Sequence, residues 1–125
     1  MKISEFMNKA YVADGNISLK DAAKLMSDRN IGSLIIMQKN KITGIITERD
    51  IMKNISKLGD KIDKIMSKNV ITIEKGESIE DAARLMAEKK IKRLPVMGKG
   101  ELVGIISATD ILAHSDDINE DFFFD

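Results

Sequence analysis

The 125-residue sequence has no cysteine, no tryptophan, one proline, one histidine, four phenylalanines and one tyrosine. Without cysteine there is no disulfide framework, no thiolate zinc site and no thiol nucleophile. His114 supplies at most one imidazole. No apolar run approaches the ~18 residues that a membrane span requires. The opening MKISEF carries Glu5 where a signal peptide needs apolar residues. A cytoplasmic protein with no membrane association is the expectation. Three of the five aromatic residues are Phe122, Phe123 and Phe124, which leaves only Phe6 and Tyr11 for the body. The core must therefore be aliphatic, and 20 isoleucines and eight methionines supply it. β-branched side chains of this kind favour strands.

Net charge is also missing, with 20 Lys plus Arg against 20 Asp plus Glu. The balance conceals a division. Residues 1–115 hold 20 cations and 15 anions, whereas the last ten residues, DDINEDFFFD, hold five anions and no cation.

Aligned with itself at an offset of 60, the sequence matches in three blocks. Asp21 to Met26 falls on Asp81 to Met86, Ile31 to Met37 on Ile91 to Met97, and Gly44-Ile-Ile-Thr47 on Gly104-Ile-Ile-Ser107. A constant offset across separate blocks marks a tandem duplication. Met7-Asn-Lys falls on Met66-Ser-Lys at an offset of 59, and Gly59 marks the joint. The expected division is a first repeat over 1–58, a second over 61–115 and an acidic, Phe-bearing tail over 116–125.

Each half shows the same order of elements. Ser18 and Ser78 precede apolar residues at helical spacing, with Asp21 and Asp81 three positions on, as in a capping box. The runs 33–37 and 42–46, and likewise 94–97 and 102–106, flank short polar turns and read as hairpins. A helix carrying Ile51, Met52 and Ile55 begins near Glu48, and one carrying Ile111 and Leu112 begins near Ala108. Short strands over 11–13 and 70–73 open the units. A 60-residue unit buries only ~60% of its unfolded surface. Two copies sharing one core are therefore expected, and the unbroken apolar runs suit strands covered on both faces.

The sharpest motif is Thr47-Glu-Arg-Asp50 with its copy Ser107-Ala-Thr-Asp110. A hydroxyl followed three residues later by a carboxylate is, on its own, a helix N-terminal cap. Its place adds a second reading, because the carboxyl end of a strand is where α/β sheets bind ligands. A carboxylate offers two acceptor oxygens to adjacent ribose hydroxyls. The helix N-terminus and the hydroxyl suit phosphate. Nothing in these residues selects adenine over another base.

The segments IGSLIIM…ITGIITERDI and IKRLPVMGKGELVGIISATDI closely resemble a tandem pair of cystathionine-β-synthase (CBS) domains, over essentially residues 1–115. The resemblance implies an α/β (α+β) fold of two β-α-β-β-α repeats, packed with pseudo-twofold symmetry into one module that forms a homodimer. It implies regulation without catalysis. Clefts between the repeats would take an adenosine-containing ligand such as AMP, ADP, ATP, S-adenosylmethionine or NAD, with no obligatory cofactor and no metal. Carried over by position, Asp50 and Asp110 match the family's ribose-binding aspartates, and Thr47 and Ser107 its hydroxyls near ribose or phosphate. Lys92 and Arg93 match basic residues placed on phosphate, and Arg49 is a further candidate. Their counterparts Gly32, Ser33 and Thr109 carry no charge, so the two sites are expected to be unequal.

His114 reads as a surface residue beside a helix C-terminus, which favours a cation. Met26, Met37, Met66, Met86 and Met97 read as core filler. Three adjacent phenylalanines are costly to expose, so the tail is expected to dock on the body, on a dimer mate or on an unidentified protein target. The alternative functions are a nucleic-acid-binding module and a protein-interaction module without nucleotide sensing. Against nucleic acid stand the dispersed cations, the acidic tail and the lack of stacking aromatics in the body. Against an enzyme stand the missing cysteine, the single histidine and the absence of paired catalytic carboxylates.

Overall fold

The computed structural model describes residues 1–114, and the docking expected of the tail lies outside the described residues. In chain order the main elements are β1 (Val12–Ala13), α1 (Leu19–Arg29), β2 (Ser33–Gln38), β3 (Lys41–Thr47), α2 (Glu48–Lys53), β4 (Ile73–Glu74), α3 (Ile79–Lys89), β5 (Arg93–Gly98), β6 (Glu101–Ser107) and α4 (Ala108–Ala113). Each repeat is thus β-α-β-β-α with its own three-stranded sheet, ordered β1-β2-β3 or β4-β5-β6. The opening strand runs parallel to the second, and the second antiparallel to the third. β4 lies further along the chain than the sequence suggests. Ile73 pairs with Val96 and Glu74 with Met97, and the Lys75 amide donates to the Met97 carbonyl, so pairing begins only at Ile73.

Both hairpins close through two residues in the left-handed region, Lys39 and Asn40 in the first and Lys99 and Gly100 in the second. Two positive φ angles match the right-handed twist of the flanking strands. α1 starts at Ser18, whose hydroxyl accepts the Asp21 amide at 3.0 Å. α3 completes the box, since Asp81 also accepts the Ser78 amide. The Ser78 hydroxyl and amide, with the neighbouring Arg84 guanidinium, hold the Asp81 carboxyl below its ordinary value of 3.8.

The described residues divide into two compact units, one made of Tyr11–Val70 and the other of Met1–Ala10 together with residues 71–114. The cores show why. Leu19, Ala22, Met26, Leu34, Ile36 and Ile46 bury together with Ile62, and their counterparts Ala82, Met86, Leu94, Val96 and Ile106 bury with Ile73 and Ile3. Ile3 and Ile62 are both 0% exposed. Each core therefore takes one isoleucine from the opening of the other repeat, a contribution of about 1.5–3 kcal/mol per fully buried side chain.

Backbone contacts seal the exchange. The Ile3 amide donates to the Glu77 carbonyl, and the Ile62 amide to that of Ile17. Asn8 bridges Ile105 on β6, and Ser67 bridges Ile45 on β3. The approach is close because the neighbouring strand positions are glycines. A Cβ at Gly104 would lie 2.8 Å from the Asn8 carbonyl oxygen, and one at Gly44 would meet the Met66 side chain.

Of the five methionines expected in the core, Met26 and Met86 are buried, while Met37, Met66 and Met97 are half-buried. Met52, Ile55 and Leu112, read as part of the apolar pattern of the terminal helices, are exposed: Met52 and Leu112 each stand one position, about 100° round the helix, from the half-buried Ile51 and Ile111, and Ile55 lies beyond the end of α2. His114 is exposed as expected, and its ring lies 4.6 Å from that of Phe6.

Candidate functional site

Each third strand passes without a loop into a short helix, and the junction is built from three local bonds. At the first corner the Thr47 amide donates to Asp50 Oδ2 at 2.9 Å and the Thr47 hydroxyl to the same oxygen at 3.1 Å, while the Asp50 amide donates back to Thr47 Oγ1 at 3.4 Å. The second corner repeats this with Ser107 and Asp110, at 2.9, 2.8 and 3.1 Å. Both aspartates are half-buried. The cap and the candidate acceptor are thus the same carboxylate. Oδ2 is committed to the helix, and Oδ1 has no hydrogen-bond partner among the described residues.

The helix N-termini are partly engaged by the chain itself. The Glu48 amide donates to the Gly32 carbonyl and the Ala108 amide to the Lys92 carbonyl, while the Asp50 and Asp110 amides go to the capping hydroxyls. Local structure therefore uses most of the donors that a phosphate would need. The Thr47 and Ser107 hydroxyls are likewise engaged both as donors and as acceptors.

Cross-strand register brings one basic candidate to its corner. Arg93 pairs with Ser107 across the β5–β6 ladder, which places its side chain on the same sheet face as the cap. Arg93 is half-buried and makes no ion pair with any described carboxylate, Asp110 included. At the first corner the equivalent pairing is Ser33 with Thr47. Lys92 and Arg49 have exposed side chains. Lys92 serves the corner through its carbonyl, and Arg49 sits on the solvent side of α2 beside Glu48.

Two supports escaped sequence reasoning. Asn54 donates from Nδ2 to the Asp50 carbonyl at 2.7 Å, tying off the helix that carries Asp50. The segments around Asn8 and Ser67 fix the strands that deliver each corner, and their only trace in the sequence is the Met7/Met66 match together with glycines in mid-strand.

Two α/β units, each with the same hydroxyl–carboxylate corner at the carboxyl end of its third strand, define a duplicated module. A family model described as CBS domain matches residues 3–57 and 62–117, and the chain belongs to the CBS domain family. It is 35% identical over 115 residues to an uncharacterized 17.7 kDa protein of Acidianus ambivalens, covering 88% of this chain and 70% of that protein. It is 33% identical to a homoserine O-acetyltransferase of Methanohalobium evestigatum, covering 87% of this chain but only 25% of the enzyme. Among solved structures, the CBS domain pair of protein MJ0100, in complex with 5′-methylthioadenosine and S-adenosyl-L-methionine, superposes with a TM-score of 0.88. That pair is 31% identical, with 95% of this chain and 98% of that chain covered. Among the described residues no helix is long and apolar enough to cross a membrane.

Proposed function

We propose that the chain is a regulatory module that senses an adenosine-containing molecule, drawn from AMP, ADP, ATP, S-adenosylmethionine and NAD. Asp50 and Asp110 are the ribose acceptors, and Thr47 and Ser107 hold them in place. The observation that carries this reading is the carboxylate that appears in both repeats with one oxygen fixed by a cap and the other unpartnered. The MJ0100 pair, which holds two adenosine compounds, supports the ligand class. Arg93 is the main candidate for a phosphate, with Lys92 and Arg49 as outer contributors.

The module works by differential affinity, since a ligand shifts a conformational equilibrium only by binding one state better than the other. Exposed apolar side chains, Met52 and Ile55 in one unit and Leu112 in the other, support self-association as a homodimer. The location proposed is cytoplasmic. No catalytic step is assigned to the chain, and the enzymes among its relatives are several times its length.

Calorimetry and thermal shift with the five compounds test the proposal. A ligand at a hundred times its Kd adds about 2.7 kcal/mol to the folded state, a shift readily measured. Silence from all five, on protein shown to be free of bound ligand, refutes it.

A further inference from the structure

We propose that the two corners divide adenosine compounds by the charge of the 5′ group. The second corner takes a 5′-phosphorylated adenosine, and the first takes an adenosine whose 5′ group carries no negative charge. This rests on the sensing function proposed above and adds to it what each site selects.

The aspartate and its capping hydroxyl are the same in both corners, so the ribose end does not discriminate. The residue across the ladder does. Arg93 faces Ser107 in the second corner, and Ser33 faces Thr47 in the first. Directly opposed residues have Cβ atoms about 4.5–5.5 Å apart, within easy reach of a guanidinium. A half-buried guanidinium is poorly screened, and Arg93 lacks an ion-pair partner among the described residues although Asp110 belongs to the same corner. A ligand presenting hydroxyls to Asp110 and a phosphate to Arg93 satisfies both groups at once. Arg suits this task because its fork matches phosphate oxygens in pairs.

The charge immediately around each corner points the same way. Lys92, Arg93 and Asp110 give the second corner a net +1, whereas Glu48, Arg49 and Asp50 give the first a net −1. Arg49 does not reverse this. It is exposed, stands beside Glu48 and is screened by solvent, where surface charge pairs contribute little.

The test uses the full chain and two probes, AMP and 5′-methylthioadenosine, titrated by calorimetry. Arg93→Gln is expected to weaken AMP by about tenfold to a hundredfold, the loss of a charge-assisted bond. Binding of 5′-methylthioadenosine should stay within about twofold, because no charge is lost from its site. The reciprocal variant Ser33→Arg, made in an Asp110→Ala background, should raise AMP affinity at the first corner. Circular dichroism establishes that each variant is folded, and Ser33→Arg keeps the test open should Arg93→Gln fail to fold. Equal weakening of both probes, unchanged AMP binding in Arg93→Gln, or no gain in Ser33→Arg overturns the division while leaving the sensing function intact. Failure of the unmodified chain to bind either probe overturns the division, and the sensing function falls with it only if ADP, ATP, S-adenosylmethionine and NAD are silent as well.

Discussion

Truncating Ile3 should destabilise the second repeat rather than the first, although Ile3 belongs to the first by sequence. Its side chain is 0% exposed and packs with Ala82, Met86, Leu94, Val96 and Ile106. Hydrogen bonds from Ile3 to Glu77, from Ser4 to Lys75 and from Ile79 to Met1 hold the segment in place, so the core cannot easily collapse around a smaller side chain. Ile→Ala in such a site costs about 2–5 kcal/mol, a large share of the ~5–15 kcal/mol that stabilises a typical domain. A loss of about 3 kcal/mol lowers Tm by roughly 10 °C at this chain length. Hydrogen exchange followed by mass spectrometry locates the loss, because sub-global opening reports each cooperative unit separately. In Ile3→Ala, protection should fall first across β4, α3, β5 and β6. In Ile62→Ala, it should fall first across α1, β2 and β3. If Ile3→Ala instead loosens residues 11–58 more than 71–114, the crossed-core reasoning is wrong.

Gly104→Ala places its Cβ against the Asn8 carbonyl and Met7 Sδ, both at 2.8 Å, and should cost about 1–3 kcal/mol by urea denaturation. Gly59→Ala, with nothing within 4 Å of the new Cβ, should instead stabilise by about 0.4–1 kcal/mol through the unfolded chain. Asp110→Asn keeps an oxygen to accept from the Ser107 amide but gives up the carboxylate charge, so it should lose ligand affinity by at least about tenfold at a stability change below about 1 kcal/mol. Asp110→Ala should lose about 1 kcal/mol of stability as well, because the cap goes with the carboxylate. Equal affinities for Asp110→Asn and the unmodified chain, by calorimetry, would exclude Asp110 from the site.

Most of the fold was legible because it is local. Ser18, Ser78, Thr47 and Ser107 mark helix starts through bonds to residues three positions on. The hairpins are set by their own turns, and the repeat offset aligns the helices and strands of one half with those of the other. The exchange of Ile3 and Ile62 was not legible, because an isoleucine beside a repeat boundary carries no mark of which core it enters. The offset of 59 at Met7/Met66, against 60 elsewhere, was the one sign that these segments follow a separate constraint. Arg93 was visible as a basic residue, but its place opposite Ser107 depends on ladder register. So does the use of the Lys92 carbonyl by the Ala108 amide.

Capping and ligand binding appear in the sequence as rival explanations for Thr47–Asp50 and Ser107–Asp110, yet the geometry makes one a condition of the other. A free aspartate side chain samples several rotamers and loses that freedom when it binds a hydroxyl. Here the loss has already occurred on folding, since two donors from the capping residue hold Oδ2. The partner oxygen is thereby fixed relative to the strand end, and binding through it carries a smaller ordering cost. The duplication carries this carboxylate in both halves, while the residues across the ladder differ, a hydroxyl at Ser33 and a guanidinium at Arg93. On the proposed reading, two corners that share an aspartate acceptor can therefore differ in the charge they accept through a single cross-strand residue, with no change in the backbone that positions them.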